Sequence, residues 1–149
     1  MNKTETLTAL EDAKKNHLEQ MEKIESLING KKIENPTPVS KMECEFGKIF
    51  YGNKDHFFRI LGAQFYEKLD FLHERWHLDY VKINNIFFQE RSNGFFSKFV
   101  GTDKINPLEY DKAKMYYVDL QAITKELLYL LDASTRRVSA QSDSKFKTH

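Results

Sequence analysis

Two histidines stand four residues apart in the segment His73-Glu74-Arg75-Trp76-His77, and the chain holds five histidines and one cysteine, Cys44, in all. Residues four apart on a helix are surface neighbours, with Cβ atoms about 5–6 Å apart, so both imidazoles can reach one metal ion. The pair alone is a weak signal, because two part-buried histidines at a helix–helix boundary have the same spacing. A third histidine strengthens it. His17 interrupts a stripe of Leu7, Leu10, Met21, Ile24 and Ile28, spaced by three, four and seven. An imidazole facing a core costs free energy unless its nitrogens find partners. With Cys44 from another segment, these residues supply three imidazoles and one thiolate, the N/S donor set preferred by a closed tetrahedral zinc site. Sulfur together with imidazole also favours zinc over magnesium or calcium.

The elements that must position these donors read as helices throughout. The first carries His17 on its apolar stripe. Thr8 with Glu11 reads as a capping box at its start, or Thr4 as an earlier one. Gly30 ends it, and Pro36 and Pro38 mark the break. Residues 31–41 read as a loop, and a short helix over about 42–50 carries Cys44 and stops near Gly52-Asn53. Asp55 caps a long third helix with Phe58, Leu61, Phe65, Leu69, Leu72, Trp76, Tyr80 and Ile83 on its apolar face. His73 and His77 stand on the flank of that face, and the helix runs to about Glu90, before Ser92-Asn93-Gly94. The last helix has Asn106 at N-cap, Pro107 at N1 and Glu109 at N3. Its seam is Ala113, Tyr116, Leu120, Ile123, Leu127 and Leu130. The expectation is an all-α, antiparallel four-helix bundle over 1–133, with a short second helix carrying the cysteine. Residues 134–149 read as a disordered polar tail.

Composition narrows the function classes. At 149 residues the chain is one domain's worth, and its 12 Phe and 7 Tyr supply a core without staples. A formal net charge of +1, with charges spread along the chain, gives no basic stripe for nucleic acid. No apolar run approaches the roughly 20 residues of a membrane-spanning helix. No apolar h-region follows the first residues, and a lone cysteine forms no intramolecular disulfide, so the expected location is the reducing cytoplasm.

The ordered pattern is more specific than any of its parts. Cys44-x-Phe46-Gly47-x-Ile49 follows His17 by 27 positions (44 − 17), and His73-x-x-x-His77 follows Cys44 by 29 (73 − 44). This arrangement closely resembles the bacterial chemoreceptor zinc-binding (CZB) domain family, by motif over roughly residues 10–85 and by topology into the last helix. The resemblance implies Zn2+ held by His17, Cys44, His73 and His77 within a four-helix bundle. It also implies homodimerisation, partnership with a cytosolic chemoreceptor or another signalling protein, and a response to zinc or to oxidation of the cysteine. Glu19 and Gln20 stand where that family usually has a large apolar residue, and the segment from Asn84 to Asn106 is longer than its norm.

Other readings stay open. His73-Glu74-x-x-His77 satisfies the HExxH pattern of zinc peptidases, with Glu74 as base, but Ile83 stands where the extended metzincin pattern needs a histidine. Glu90 and Glu109 are acidic candidates for a third ligand. A di-iron bundle needs more inward Glu and His residues than the chain offers. A structural adaptor clamped by zinc, with no sensing role, remains a distinct class. Cys44 reads as a buried hydrophobe, a zinc thiolate or a redox group. His56 reads as a surface or capping residue, and Phe87, Phe88, Phe95, Phe96, Phe99 and Val100 as a loop folded over one end or a docking patch. The chain reads as a non-enzymatic module.

Overall fold

The structure, a computed structural model, describes residues 1–33, 37–88 and 105–147. All regular structure in these residues is helical: α1 (Lys3–Ile28), α2 (Glu45–Gly52), α3 (Lys54–Leu61), α4 (Ala63–Phe88) and α5 (Pro107–Ser139), then a 3-10 turn over Asp143–Phe146. None of these helices is long and apolar enough to cross a membrane.

The caps explain most of the boundaries. The Asn2 side chain accepts from the Glu5 N–H while Glu5 reaches back to the Asn2 N–H, so the capping box lies earlier than Thr8. Gly30, at φ 85°, follows α1 in the left-handed region that glycine enters at no steric cost. Asn106 accepts from Leu108 and Pro107 opens α5, as its sequence predicts.

Two expectations need correction. The third helix does not run unbroken from Asp55, because Gly62 adopts φ 85° and divides it into α3 and α4. Order does not stop at 133 either. Ser134 and Val138 continue the buried stripe of Leu120, Leu127 and Leu131, and Phe146 is buried beyond it. The expected extension of the third helix to Glu90, and Phe95, Phe96, Phe99, Val100 and Pro36, lie outside the described residues.

α5 packs along both α1 and α4. Residue numbers fall along α4 as they rise along α5: Phe87 meets Tyr110, Lys82 lies over Tyr116, the Trp76 indole donates to Thr124, and Arg137 covers Phe65. The same order holds between α1 and α5, where Tyr110 donates to the Ile28 carbonyl and Lys14 pairs with Asp132. Trp76, Tyr80, Phe46, Phe50 and Phe57 are the largest fully buried side chains. α2 lies on α1, and α3 bridges α4 and α5. The central stretch of α1 is thereby brought against the middle of α4 and the start of α2.

Candidate metal centre

Each donor is set by local structure before it meets the others. His73 and His77 lie one turn apart on α4, with ring centroids 4.7 Å apart. His17 faces them from α1, its ring edge-on to His73 at 5.2 Å and to Trp76 at 4.9 Å. Cys44 is the N-cap of α2 rather than a residue within it, and its Sγ accepts from the Gly47 N–H at 3.2 Å. Only glycine fits at position 47, because a β-carbon there would overlap the Lys41 carbonyl oxygen. That close approach wraps residues 41–44 around the first turn of α2 and aims the sulfur at α4.

Together, one donor atom from each of His17, Cys44, His73 and His77 lies within 4.8 Å of all the others. The Cys44 sulfur is already 3.2 Å from His73 Nε2. A tetrahedral zinc site of three nitrogens and one sulfur has edges of about 3.3–3.6 Å, which follow from bonds of about 2.0–2.1 Å to nitrogen and 2.3 Å to sulfur. The four donors therefore need to close by little more than a rotamer adjustment to hold a metal ion.

The hydrogen bonds around the rings assign their protons. His17 Nδ1 donates to the Ala13 carbonyl at 2.7 Å, and His77 Nδ1 donates to the Val39 carbonyl at 3.0 Å. His73 Nδ1 lies 3.2 Å from the Tyr51 hydroxyl, which donates to Asp70 at 2.6 Å and so accepts from the ring. With Nδ1 protonated on all three, every Nε2 carries a free lone pair. His77 Nε2 is buried with no hydrogen-bond partner among the described residues. Outer partners that fix tautomer and orientation in this way are the usual support of metal-bound histidine.

Burial keeps the rings neutral. Desolvation, followed by the neighbouring His17, His77 and Lys41 charges, lowers His73 to about 2. Desolvation and then His17 lower His77 to about 4, against the opposing bond to Val39. His17 is lowered by burial, partly offset by its bond to Ala13. Burial raises the Cys44 thiol, against the Gly47 and Phe46 N–H groups that favour the thiolate. Neutral imidazole is the form that binds metal, so at pH 7 only the thiol must lose a proton.

The remaining candidates lie elsewhere. His56 joins Thr6 at 2.8 Å, linking α3 to α1. Glu74 is exposed, with its carboxylate 3.6 Å from Lys41, and Glu109 pairs with Lys112 on α5. Glu90 and His149 lie outside the described residues. Sequence reasoning passed over Tyr51, Asp70 and Lys41, which form one chain behind His73 with Lys41 Nζ 3.1 Å from Asp70. Only the position of Asp70, three residues before His73 on the same helix, hinted at it. Comparison of the chain with family models, with curated proteins and with solved structures gives no match.

Proposed function

We propose that this chain is a zinc-binding module of the CZB type, an antiparallel four-helix bundle in the cytoplasm whose metal is bound by His17, Cys44, His73 and His77. The observation that carries the reading is the convergence of the four donors from three separate segments to within 4.8 Å. The donor set supports zinc in particular, because three neutral nitrogens and one sulfur suit a tetrahedral ion of intermediate softness. Residues as far apart as 17 and 77 are tied together by one ion, so its gain or loss acts on the packing of α1, α2 and α4 together. That coupling suits a sensory module of bacterial signalling that responds to zinc or to oxidation of Cys44. The module works without enzymatic activity of its own, on a chemoreceptor or another signalling partner. The exposed Met115, Val118 and Tyr129 on the outer face of α5 are apolar surface for the expected second copy.

The test is metal content after purification without added metal, joined to X-ray absorption. One zinc per chain with three nitrogen and one sulfur neighbours is expected. All-oxygen coordination, or a chain that takes up no zinc, ends the proposal. A permanent clamp is the second reading, favoured by the near-complete burial of His17, His73 and His77. A sensor changes its oligomeric state or partner affinity when a chelator removes zinc, whereas a clamp only loses stability.

A further inference from the structure

Beside the centre lies a cavity of about 110 Å3 between α1 and residues 37–45. Its lining runs from the exposed Glu43 and Glu45 to the buried His17 and His77. It therefore spans the distance from solvent to the donors. His77, whose Nε2 has no partner among the described residues, stands on its wall, and Cys44, the least buried of the four donors, stands beside it. Across the cavity, Thr37 donates a 2.6 Å hydrogen bond to the Gln20 side chain, tying the loop to α1. The opposite side of the centre is shut. His73 is fully buried there and the Lys41 carbonyl packs against Gly47, while Trp76 and Phe46 form the apolar floor of the cavity itself.

We propose that this cavity is the route by which metal enters and leaves the centre, with the Gln20–Thr37 bond as its latch and Glu43 and Glu45 as its acidic mouth. The inference rests on the metal-binding reading above and adds how the site is loaded. The volume suits the task. The cavity has room for water, and so for an ion, between solvent and the donors. Cys44, the least buried of the four, is the first donor an entering ion meets. Carboxylates at the mouth raise the local concentration of cations, an effect on rate that salt screens. A group that only lines a route changes loading and release by the same factor, because it touches neither end state.

The test follows zinc transfer on the full chain. Release is timed by mixing the zinc-loaded protein with excess chromogenic chelator, and loading by mixing the metal-free protein with zinc. Gln20→Trp, which fills the cavity, is expected to slow both by the same factor, of order ten, with Kd unchanged. Gln20→Ala, which removes the latch, is expected to speed both and guards against a plugged variant that fails to fold. Glu43→Gln with Glu45→Gln is expected to slow loading and to flatten its salt dependence. Lys15→Trp, on α1 outside this cavity, is the control and should change neither rate. Unaltered rates in both Gln20 variants would overturn the route and point to opening of the whole 37–44 loop. A Kd that moves with the rates would also overturn it, by making Gln20 a support of the bound state. A wild-type chain that binds no zinc fails at the first measurement and sinks the metal reading itself.

Discussion

His56 and His77 show two ways in which this bundle holds an imidazole, the first half-buried and the second buried. At the end formed by α3 and the C-terminal turn, His56 has one clear partner. Thr6 donates its hydroxyl proton to the Asn2 carbonyl, which leaves its oxygen to accept from His56 Nε2–H. Phe57 and Phe146 flank the ring, while Gln141 donates to the Ile60 carbonyl close by. In the middle of the bundle, three Nε2 lone pairs and one sulfur face each other, and the single thiol proton can satisfy just one of them. Acceptors that converge with too few donors are costly when buried. A cation resolves all four at once. A histidine ring packed among aromatic side chains is therefore common to both regions, and a buried surplus of converging acceptors is what separates a metal centre from a structural contact.

The largest effect should fall on the central histidines. His73→Ala or His77→Ala is expected to weaken zinc by more than about a hundredfold, beyond the range for loss of an outer partner. His56→Ala should leave zinc content unchanged and cost about 1 kcal/mol of stability for its one hydrogen bond. Competition with a chelator of known affinity, paired with urea unfolding, reads both numbers. Equal loss of zinc in the His56 and His77 variants would erase the distinction between the two regions.

The metal-free protein should be sensitive to acid. His17, His73 and His77 all have folded pKa values below their unfolded value of about 6.5. The unfolded chain then binds protons first, so stability is fully present above about 6.5 and falls as pH drops towards the folded values. For His77 that fall continues to about 4, and for His73 to about 2. Zinc affinity has a different dependence. The imidazoles are already neutral while the raised thiol keeps its proton, so binding should release one proton, about tenfold in affinity per pH unit near neutrality. Unfolding in chelator from pH 7.5 to 5, beside zinc titrations over the same range, tests both. A steeper affinity slope near neutrality would mean that the rings are protonated and solvated before metal arrives.

A smaller effect is expected behind His73. Tyr51→Phe removes the oxygen that accepts from Nδ1, and Asp70→Asn weakens the acceptor that orients that oxygen. Each should reduce zinc affinity by about 10–100-fold while leaving stoichiometry at one. Unchanged affinity in both would reduce this chain to packing.

How far the sequence could be read follows from what leaves a periodic trace. The four candidate donors were legible because His17 breaks an apolar stripe and the His73–His77 spacing is one helical turn. The start of α5 was legible because Asn106, Pro107 and Glu109 agree. The division at Gly62 was not. Phe58, Leu61, Phe65 and Leu69 continue the helical spacing straight across it, and one glycine within such a pattern is ordinarily tolerated. The order beyond 133 was obscured because polar residues surround Val138 and Phe146, although Ser134 and Val138 keep the seam's spacing. Tyr51, Asp70 and Lys41 meet from three segments, and contacts of that kind have no periodicity to betray them.

The smallest expected effect belongs to Glu74, and it separates two carboxylates that share one lysine. Lys41 Nζ lies 3.1 Å from Asp70 and 3.6 Å from Glu74. Asp70 also accepts from Tyr51, and through it reaches His73. Glu74 has no such continuation, and its side chain is 51% exposed. Removing it leaves Lys41 on Asp70 and the ring undisturbed. Glu74→Ala should therefore keep zinc affinity within about threefold and cost less than about 1 kcal/mol, as for other exposed ion pairs. In an HExxH peptidase the same glutamate serves as general base at the metal site, so its loss there abolishes turnover. Zinc affinity and hydrolysis of an unstructured peptide, measured on wild type and variant together, decide the matter. Hydrolysis by the wild type that vanishes in Glu74→Ala would replace the sensory reading with a catalytic one. Absent hydrolysis in both, with zinc retained, leaves Glu74 as a solvated helix residue beside a centre it does not serve.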